Sequence, residues 1–229
     1  MSDQAAALKR EAAEAAIDAE VRSGMTLGLG TGSTAAYLLD GLGERLADGA
    51  LDGIVGVPTS EATAARCREL GIPLATLEQR PKLDLAIDGA DEISPTLDLI
   101  KGLGGAHLRE KVVAASAVRF VIVADDSKLV ARLGERAPLP VEVIPFAYPL
   151  CERLLTAAGW APQLRGGARQ PFVTDEGNHI ADCRRDHWSD LVRLAGELDA
   201  MPGVVAHGLF LGMAAAAYVA TPDGVRVLT

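Results

Sequence analysis

Hydrophobic positions in the first half of the chain form short continuous runs, each followed by a segment with apolar residues at helical spacing. Strands that are apolar on both faces and are separated by single helices predict a parallel sheet covered by helices. The predicted strands are Met25–Leu29, Gly53–Val57, Leu83–Ile87 and Arg119–Ala124. The predicted helices are an Ala/Glu-rich N-terminal helix that ends near Val21, then Ser33–Asp48, Ser60–Leu70 and Leu108–Ser116. We therefore expect the α/β fold class here, with a doubly wound, mostly parallel, Rossmann-like sheet.

The pattern changes after Pro138-Leu-Pro140. The elements then follow the order β-α-β-β-α-β, which is typical of a ferredoxin-like α+β unit. They are a strand over Val141–Phe146, a helix over Tyr148–Ala158, a strand over Gln163–Arg165, a strand pair turned at Asp175-Glu-Gly177, a helix over Trp188–Asp199 and a strand over Val204–Leu211. An Ala-rich helix over Met213–Tyr218 is expected to return the chain to the first domain. We predict a Rossmann-like domain of residues 1–136 and 207–229 and a smaller ferredoxin-like domain of residues 137–206.

Composition narrows the possible partners. The 229 residues are 49% hydrophobic and 23% charged, which is typical of a globular protein with a filled core. A balance of 22 Lys and Arg against 31 Asp and Glu gives a net charge of −9, which disfavours nucleic acid and anionic membranes as partners. Three cysteines without a CxxC pair indicate neither a disulfide framework nor a zinc site. We expect a cytoplasmic protein without a signal peptide or a membrane span.

A glycine-rich stretch, Gly28-Leu-Gly-Thr-Gly-Ser-Thr34, lies between the first predicted strand and its helix. Backbone N–H groups at such a helix start, together with the helix dipole, favour an anion, and a phosphate is the expected ligand. The GxGxxG pattern fails because position 33 is serine, and the Walker pattern fails because the turn has no lysine. A tight turn that binds nothing remains open, because glycine also serves close helix packing.

Acidic residues follow the third predicted strand, where Asp88, Asp91 and Glu92 lie at its carboxyl end. Ligands of open α/β sheets bind at this edge, so we expect the acids and the glycine-rich stretch to face one cleft. A second glycine-rich loop begins at Lys101 and leads into a helix that carries Glu110. A carboxylate base together with oxyanion donors can move a proton next to a carbonyl group. A solvated helix start remains the alternative for Glu110.

Five motifs resemble, in order and spacing, those of the type A ribose-5-phosphate isomerases. They are Gly30-Thr-Gly-Ser-Thr34, Asp88-Gly-Ala-Asp-Glu92, Lys101-Gly-Leu-Gly-Gly-Ala-His-Leu-Arg-Glu-Lys111, Asp126-Ser-Lys128 and Leu139-Pro-Val-Glu-Val-Ile-Pro145. The resemblance covers essentially the whole chain. It implies an aldose-ketose isomerase, without metal or cofactor, that interconverts ribose 5-phosphate and ribulose 5-phosphate through an enediol(ate) in the non-oxidative pentose phosphate pathway.

The resemblance also implies a role for each matching residue. Glu110 would shuttle the proton between carbons 1 and 2, while Asp88, Asp91 and Lys101 would contact sugar hydroxyls, assist ring opening and stabilise charge on oxygen. The implied substrate-binding residues are Thr31, Gly32, Ser33, Thr34, Gly89, Ala90, Gly102, Leu103, Gly104, Lys128 and Lys9. The implied partners are a phosphosugar and further copies of the chain, in a homodimer or homotetramer that uses the small domain.

The chain departs from the family pattern in the second glycine-rich loop. Leu103 stands where glycine is frequent, and His107 and Leu108 stand where leucine and threonine are common. We expect His107 to pack or to contact the helix start. Other hypotheses are a sugar-phosphate deaminase, a lactonase or a coenzyme A transferase, which lack this loop spacing, and a sugar-phosphate sensor of a transcription regulator, which needs a basic DNA-binding segment. A purely structural assembly protein is the last alternative.

Overall fold

The computed structural model describes residues 3–186 and 188–229. The helices are α1 (Asp3–Glu20), α2 (Ser33–Ala47), α3 (Glu61–Glu69), α4 (His107–Ala115), α5 (Tyr148–Ala157) and α6 (Leu191–Asp199). The strands are β1 (Thr26–Leu29), β2 (Val55–Pro58), β3 (Leu83–Asp88), β4 (Glu92–Ile93), β5 (Leu99–Ile100), β6 (Ala117–Asp125), β7 (Leu139–Val143), β8 (Ala161–Leu164), β9 (His179–Arg184), β10 (Val204–His207), β11 (Leu209–Phe210), β12 (Ala216–Thr221) and β13 (Gly224–Leu228). Short 3₁₀-helices cover Asp126–Lys128 and Pro145–Ala147.

The chain divides into two compact units. The first unit comprises the residues up to Ala90, Arg109–Leu129 and Gly212–Thr229, and the second comprises Asp91–Leu108 and Val130–Leu211. The sequence-based boundaries place residues 91–108, 130–136 and 207–211 in the first domain, whereas here they belong to the second unit. The reason is strand pairing, because β4 and β5 form a hairpin that joins β11 in a three-stranded sheet.

The first unit contains a six-stranded sheet in the order β13-β12-β6-β3-β1-β2. Neighbouring strands are parallel except for β13, which pairs antiparallel with β12 at one edge. Both faces of the sheet are covered. Leu27 and Leu29 of β1 pack into the core with α1 and α2, whereas Gly28 between them lies against Val113 of α4. The predicted doubly wound, mostly parallel sheet is confirmed.

The second unit is built on a four-stranded antiparallel sheet in the order β10-β7-β9-β8. With α5 after β7 and α6 after β9, the elements follow the predicted order β-α-β-β-α-β. Numbered within this unit, the strand order is 4-1-3-2. Its core joins residues of the sheet to α5, α6 and Trp160. The predicted smaller α+β unit is therefore confirmed.

Most predicted elements of the first half are confirmed, with ends that differ by at most two residues. The predicted helix over Met213–Tyr218 is wrong, because this segment leads into β12. All six residues of β12 are buried, and it pairs with β6 on one side and β13 on the other. Burial on both faces of the sheet therefore outweighs the helix propensity of its alanines.

Two predicted strands of the second unit differ from the structure. The strand predicted over Val204–Leu211 is interrupted at Gly208, which separates β10 in one sheet from β11 in another. A side chain at Gly208 would collide with the carbonyl group of Lys101, so the change of sheet requires glycine. The turn at Asp175-Glu-Gly177 is confirmed, but only the segment after it is a strand. No helix in the described ranges is long and apolar enough to cross a membrane.

Candidate functional site

The strand order of the first unit changes direction between β1 and β3, since β2 lies on one side of β1 and the later strands on the other. Ligands of open α/β sheets bind outside the carboxyl ends of the strands at such a switch point. Gly30 follows the last residue of β1, and Asp88 is the last residue of β3. The two sequence motifs that they begin therefore lie at the expected position.

Asp88 is a buried carboxylate that joins these two motifs. Its Oδ1 atom accepts hydrogen bonds from the N–H groups of Thr31 at 3.1 Å and Gly89 at 2.7 Å. A β-carbon at Gly30 would collide with the same carboxylate. Glycine at position 30 thus lets the loop after β1 approach Asp88 closely, and the two amides fix the orientation of the carboxylate.

The start of α2 has the geometry of an anion site. Gly32 precedes the helix with φ 117°, a conformation that favours glycine, and it offers no side chain as a cap. The first N–H groups of this 15-residue helix therefore have no capping side chain from Gly32, and the helix dipole adds partial positive charge there. The Lys9 ammonium of α1 reaches this helix start and donates to Ser33 Oγ at 2.9 Å.

A group of hydroxyls positions the loop after β1. Thr31 Oγ1 lies 2.7 Å from Thr59 Oγ1, 2.9 Å from Ser60 Oγ and 3.1 Å from Thr63 Oγ1. The Thr63 hydroxyl donates to the carbonyl of Gly30 at 3.0 Å. The family resemblance predicts that Thr31 binds substrate. In the structure, its hydroxyl belongs to a cluster that holds the loop after β1 in place. The sequence analysis missed the other three hydroxyls, although they follow β2 at the same edge of the sheet.

Lys9 and Lys128 line one cleft of the first unit, with a volume of about 350 Å³. Residues of α1, the segment 125–128 and Pro222 form its walls. Asp125, the buried last residue of β6, accepts the N–H of Ser127 at 3.0 Å and so fixes the 3₁₀-helix that ends at Lys128. Lys9 and Lys128, which are far apart in sequence, therefore line the same cleft.

Glu110 lies in the first turn of α4 and is only 4% exposed. Glutamate is rarely buried to this degree unless it is paired or functional. The preceding residue, Arg109, is partly exposed and pairs with Glu61 at the start of α3 at 3.0 Å. The predicted alternative of a solvated helix start therefore does not describe Glu110, whose side chain is removed from bulk water.

The second unit holds Asp91 and Lys101 on the hairpin of β4 and β5. Asp91 donates its N–H to Ile100 at 2.8 Å, and its Oδ2 atom accepts the N–H of Leu103 at 2.9 Å. Lys101 is buried, and its ammonium lies 5.6 Å from the centroid of the Phe210 ring, within cation–π range. The hairpin therefore fixes both residues close to the start of the second glycine-rich loop.

The loop that follows Lys101 depends on glycine at two positions. Gly102 has φ 108° and lies against the ring of His107, and Gly105 has φ 82° and lies against the ring of Phe172. Gly104 has no neighbour where a β-carbon would lie. Leu103 is 44% exposed, so its side chain extends into solvent. The leucine side chain at position 103 is therefore accommodated without burial and without a positive φ.

A buried polar network lies beside this loop. The His107 Nε2 atom is 3.7 Å from Glu142 Oε2. The other carboxylate oxygen of Glu142 accepts hydrogen bonds from Thr174 at 2.8 Å and Asn178 at 3.0 Å. Burial raises the pKa of Glu142, and these two hydrogen bonds oppose that rise. The sequence analysis did not identify this network, which supports the loop through His107.

The sequence-predicted site residues thus lie in both units. The first unit contains Lys9, Thr31, Gly32, Ser33, Thr34, Asp88, Gly89, Ala90, Glu110 and Lys128, and the second contains Asp91, Lys101, Gly102, Leu103 and Gly104. Direct contacts join Lys9 to Ser33 and Thr31 to Asp88 in the first unit, and Asp91 to Leu103 in the second.

The chain is similar over nearly its whole length to known proteins. Residues 55–224 match the family model of ribose 5-phosphate isomerase A, also described as phosphoriboisomerase A. A ribose-5-phosphate isomerase A of Roseiflexus sp. (strain RS-1) is 63% identical over 220 residues, which cover 95% of this chain and 93% of that protein.

Two solved structures share the complete fold. Ribose 5-phosphate isomerase A from Methanocaldococcus jannaschii is 41% identical with a TM-score of 0.92, and the match covers 100% of both chains. A D-ribose-5-phosphate isomerase in complex with phospho-erythronic acid is 38% identical with a TM-score of 0.94, and the match covers 100% of this chain and 99% of the other.

Proposed function

The chain belongs to the ribose 5-phosphate isomerase A family, and from this premise we propose how its own residues carry out the isomerisation. The reaction interconverts D-ribose 5-phosphate and D-ribulose 5-phosphate and belongs to the pentose phosphate pathway. It moves one hydrogen between carbons 1 and 2 of the open-chain sugar, through an enediol(ate). The observation that carries the proposed mechanism is the burial of Glu110, at the position where the family motif has its proton-transferring glutamate.

Glu110 is the proposed general base and acid. Its carboxylate removes the proton from carbon 2 of ribose 5-phosphate and returns it to carbon 1, while the hydroxyl proton passes from oxygen 2 to oxygen 1. The reverse reaction uses the same group. A carboxylate removed from bulk water keeps the abstracted proton available for return, since competing exchange with solvent is limited.

Lys101, Asp91 and Asp88 are proposed to act on the sugar oxygens. The Lys101 ammonium supplies a positive charge where negative charge develops on the carbonyl oxygen in the enediolate. The carboxylates of Asp88 and Asp91 accept hydrogen bonds from sugar hydroxyls and assist ring opening. Both carboxylates are already oriented by backbone N–H groups, so little reorganisation is needed when substrate binds.

The phosphate group is proposed to bind at the start of α2. Backbone N–H groups from Gly32 to Thr34 and the hydroxyl of Ser33 act as donors, and Lys9 and Lys128 supply the charge. Gly89 and Ala90 in the first unit, and Gly102, Leu103 and Gly104 in the second, are proposed to contact the substrate mainly through their backbone. A protein of net charge −9 can bind this anion because local dipoles and lysines determine the field at the site.

Substitution of Lys9 by methionine tests the phosphate site. Loss of one charge-assisted contact to the phosphate should raise KM for ribose 5-phosphate by about 10-fold or more, with kcat within about threefold of the wild type. Steady-state kinetics at fixed ionic strength measure both constants. Lys82→Met, at an exposed lysine of the same unit, is the matched control and should change neither. An unchanged KM in Lys9→Met would remove Lys9 from the phosphate site.

A coupled assay with ribose 5-phosphate tests the function and the expected independence of metal. We expect turnover to ribulose 5-phosphate, and the rate should stay the same after dialysis against EDTA and in its presence. A proton transfer between carboxylate and carbon needs no Lewis acid when an ammonium stabilises the oxyanion. Loss of activity with EDTA and its return with one divalent cation would contradict the proposed chemistry.

We also propose a homodimer or homotetramer that uses the smaller domain, and a cytoplasmic location. Ten large hydrophobic side chains of the described residues are exposed, among them Ile144, Phe146 and Val205 of the smaller domain. Exposed apolar residues support self-association where they form a contiguous patch. Light scattering at two protein concentrations measures the stoichiometry.

A further inference from the structure

The segment from Lys101 to Gly105 needs external support to hold one conformation. Its two glycines with positive φ, Gly102 and Gly105, are the residues that lose most conformational freedom on folding. Asp91 holds this segment from one side, through the N–H of Leu103. Within the segment, the N–H of Gly105 donates to the carbonyl group of Gly102 at 3.0 Å. The carbonyl groups of Gly102 and Leu103 are also held by a side chain more than 60 residues further along the chain.

That side chain is Arg165, which follows β8 in the second unit. Its Nη1 atom donates to the carbonyl groups of Gly102 at 3.0 Å and Leu103 at 3.1 Å. The Nε and Nη2 atoms donate to the two carboxylate oxygens of Asp182 on β9, at 2.9 Å and 2.5 Å. The side chain is only 15% exposed.

Arg165 is itself firmly positioned. Its N–H donates to the carbonyl of Ile180 at 2.9 Å, and its own carbonyl accepts the N–H of Phe172 at 2.8 Å. The guanidinium lies 5.7 Å from the centroid of the Phe172 ring, and the same ring packs against Gly105. Arg165, Asp182 and Phe172 therefore form a rigid support, which we call the Arg165 clamp, for the carbonyl side of the loop.

We propose that Arg165 is a positioning residue for the isomerisation, because it fixes the backbone that carries Lys101. This proposal rests on the proposed role of Lys101 at the substrate oxygen. The peptide group between Gly102 and Leu103 is held through its carbonyl by Arg165 and through its N–H by Asp91. Lys101 immediately precedes this peptide group, so the clamp limits where the ammonium can lie.

The geometry requires a guanidinium and not merely a positive charge. Arg165 uses a planar fork to satisfy a carboxylate and two carbonyl groups at once. A lysine carries its donors on one nitrogen, so it cannot reach both oxygens of Asp182 and the two carbonyls together. Arg165→Lys therefore retains the charge and removes the positioning.

Arg165→Lys is expected to lower kcat by about 10- to 100-fold, because a misplacement of about 1 Å in the catalytic machinery can cost this much. KM should change less than kcat, since the proposed phosphate contacts at the start of α2 are retained and only the backbone contacts of Gly102–Gly104 are displaced. In Arg165→Ala, millimolar guanidinium chloride should restore part of kcat, whereas sodium chloride at the same concentration should not. Arg153→Lys, at an exposed arginine of α5, is the matched control and should retain wild-type kcat, KM and thermal stability.

Hydrogen–deuterium exchange of the intact protein tests the positioning without reference to catalysis. Arg165→Lys should speed exchange in a peptide that covers residues 101–105, with β7 and β9 protected as in the wild type. Unchanged exchange and unchanged kcat would overturn the proposal. A loss of kcat that follows a general loss of protection in the second unit, without guanidinium rescue, would also overturn it. An inactive wild-type protein would instead refute the proposed function, and the exchange result would still decide whether the clamp positions the loop.

Discussion

Replacing Glu110 by glutamine should lower kcat for ribose 5-phosphate by about 10²- to 10⁴-fold, the contribution typical of a general acid–base. Glutamine has nearly the same size and shape but cannot accept the proton from carbon 2. Because Glu110 is only 4% exposed, water has poor access to replace the missing base. The coupled assay measures kcat, and calorimetric titration with ribose 5-phosphate measures binding, which should stay within about threefold.

The control for this substitution is Glu44→Gln, which makes the same chemical change at an exposed position of α2. It should leave kcat and KM unchanged, and circular dichroism should show that both variants are folded. Turnover of Glu110→Gln close to that of the wild type would contradict the assignment of the base. A loss of binding with normal kcat at saturation would instead give Glu110 a role in substrate affinity.

Elements whose signal is local could be predicted from the sequence. The first strand, its glycine-rich turn and α2 were confirmed because apolar periodicity and turn residues specify them over about 20 positions. Asp88 could be placed at the carboxyl end of a parallel strand for the same reason. The switch point then follows from the strand order, and it brings Asp88 to the amide of Thr31.

Elements that depend on distant pairing could not be predicted in this way. The segment Ala216–Thr221 is rich in alanine, and only its position between β6 and β13 makes it a strand. The hairpin of β4 and β5 has only two residues in each strand, which is too short for a periodic signal. Its partner β11 lies more than 100 residues away. Tertiary context therefore determines these elements.

The candidate site likewise combines features that are local in sequence with features that depend on distant residues. The motifs that carry Thr31 and Lys101 are continuous in sequence, whereas the side chains that hold them come from other parts of the chain. Thr59 and Thr63 support the loop at Thr31, and Arg165 supports the loop at Lys101 across more than 60 residues. The sequence around Thr59, Thr63 or Arg165 does not indicate such a role, because these contacts form only in the folded protein.

Glu92 belongs to the acidic cluster that the sequence associates with chemistry, yet its contacts indicate a structural role. It is 1% exposed, and its carboxylate accepts three backbone N–H groups. These are the amides of Gly134 at 2.7 Å, Arg136 at 2.6 Å and Ala137 at 2.7 Å. One side chain of β4 therefore holds the loop that leads into β7.

Substitutions of Glu92 should lower stability far more than activity. Glu92→Gln places an amide N–H₂ opposite one of the three donors, and we expect a loss of about 2 kcal/mol, which lowers Tm by roughly 4–8 °C. Glu92→Ala leaves all three N–H groups without this acceptor and should cost about 3–5 kcal/mol. Urea unfolding and thermal scans measure both losses. At a temperature where the variants are folded, kcat should stay within about threefold of the wild type.

Glu135→Gln is the matched control, because Glu135 lies in the same loop but is exposed, and it accepts the N–H of Ala131 at 3.2 Å. Its Tm should stay within about 1 °C of the wild type, as for most surface substitutions. A Glu92→Gln variant with wild-type Tm and a large loss of kcat would contradict the structural role and would place Glu92 with the catalytic acids. We expect Glu110→Gln to show the opposite pattern, in which kcat falls and Tm is retained. The two measurements together therefore distinguish the catalytic glutamate from the structural one.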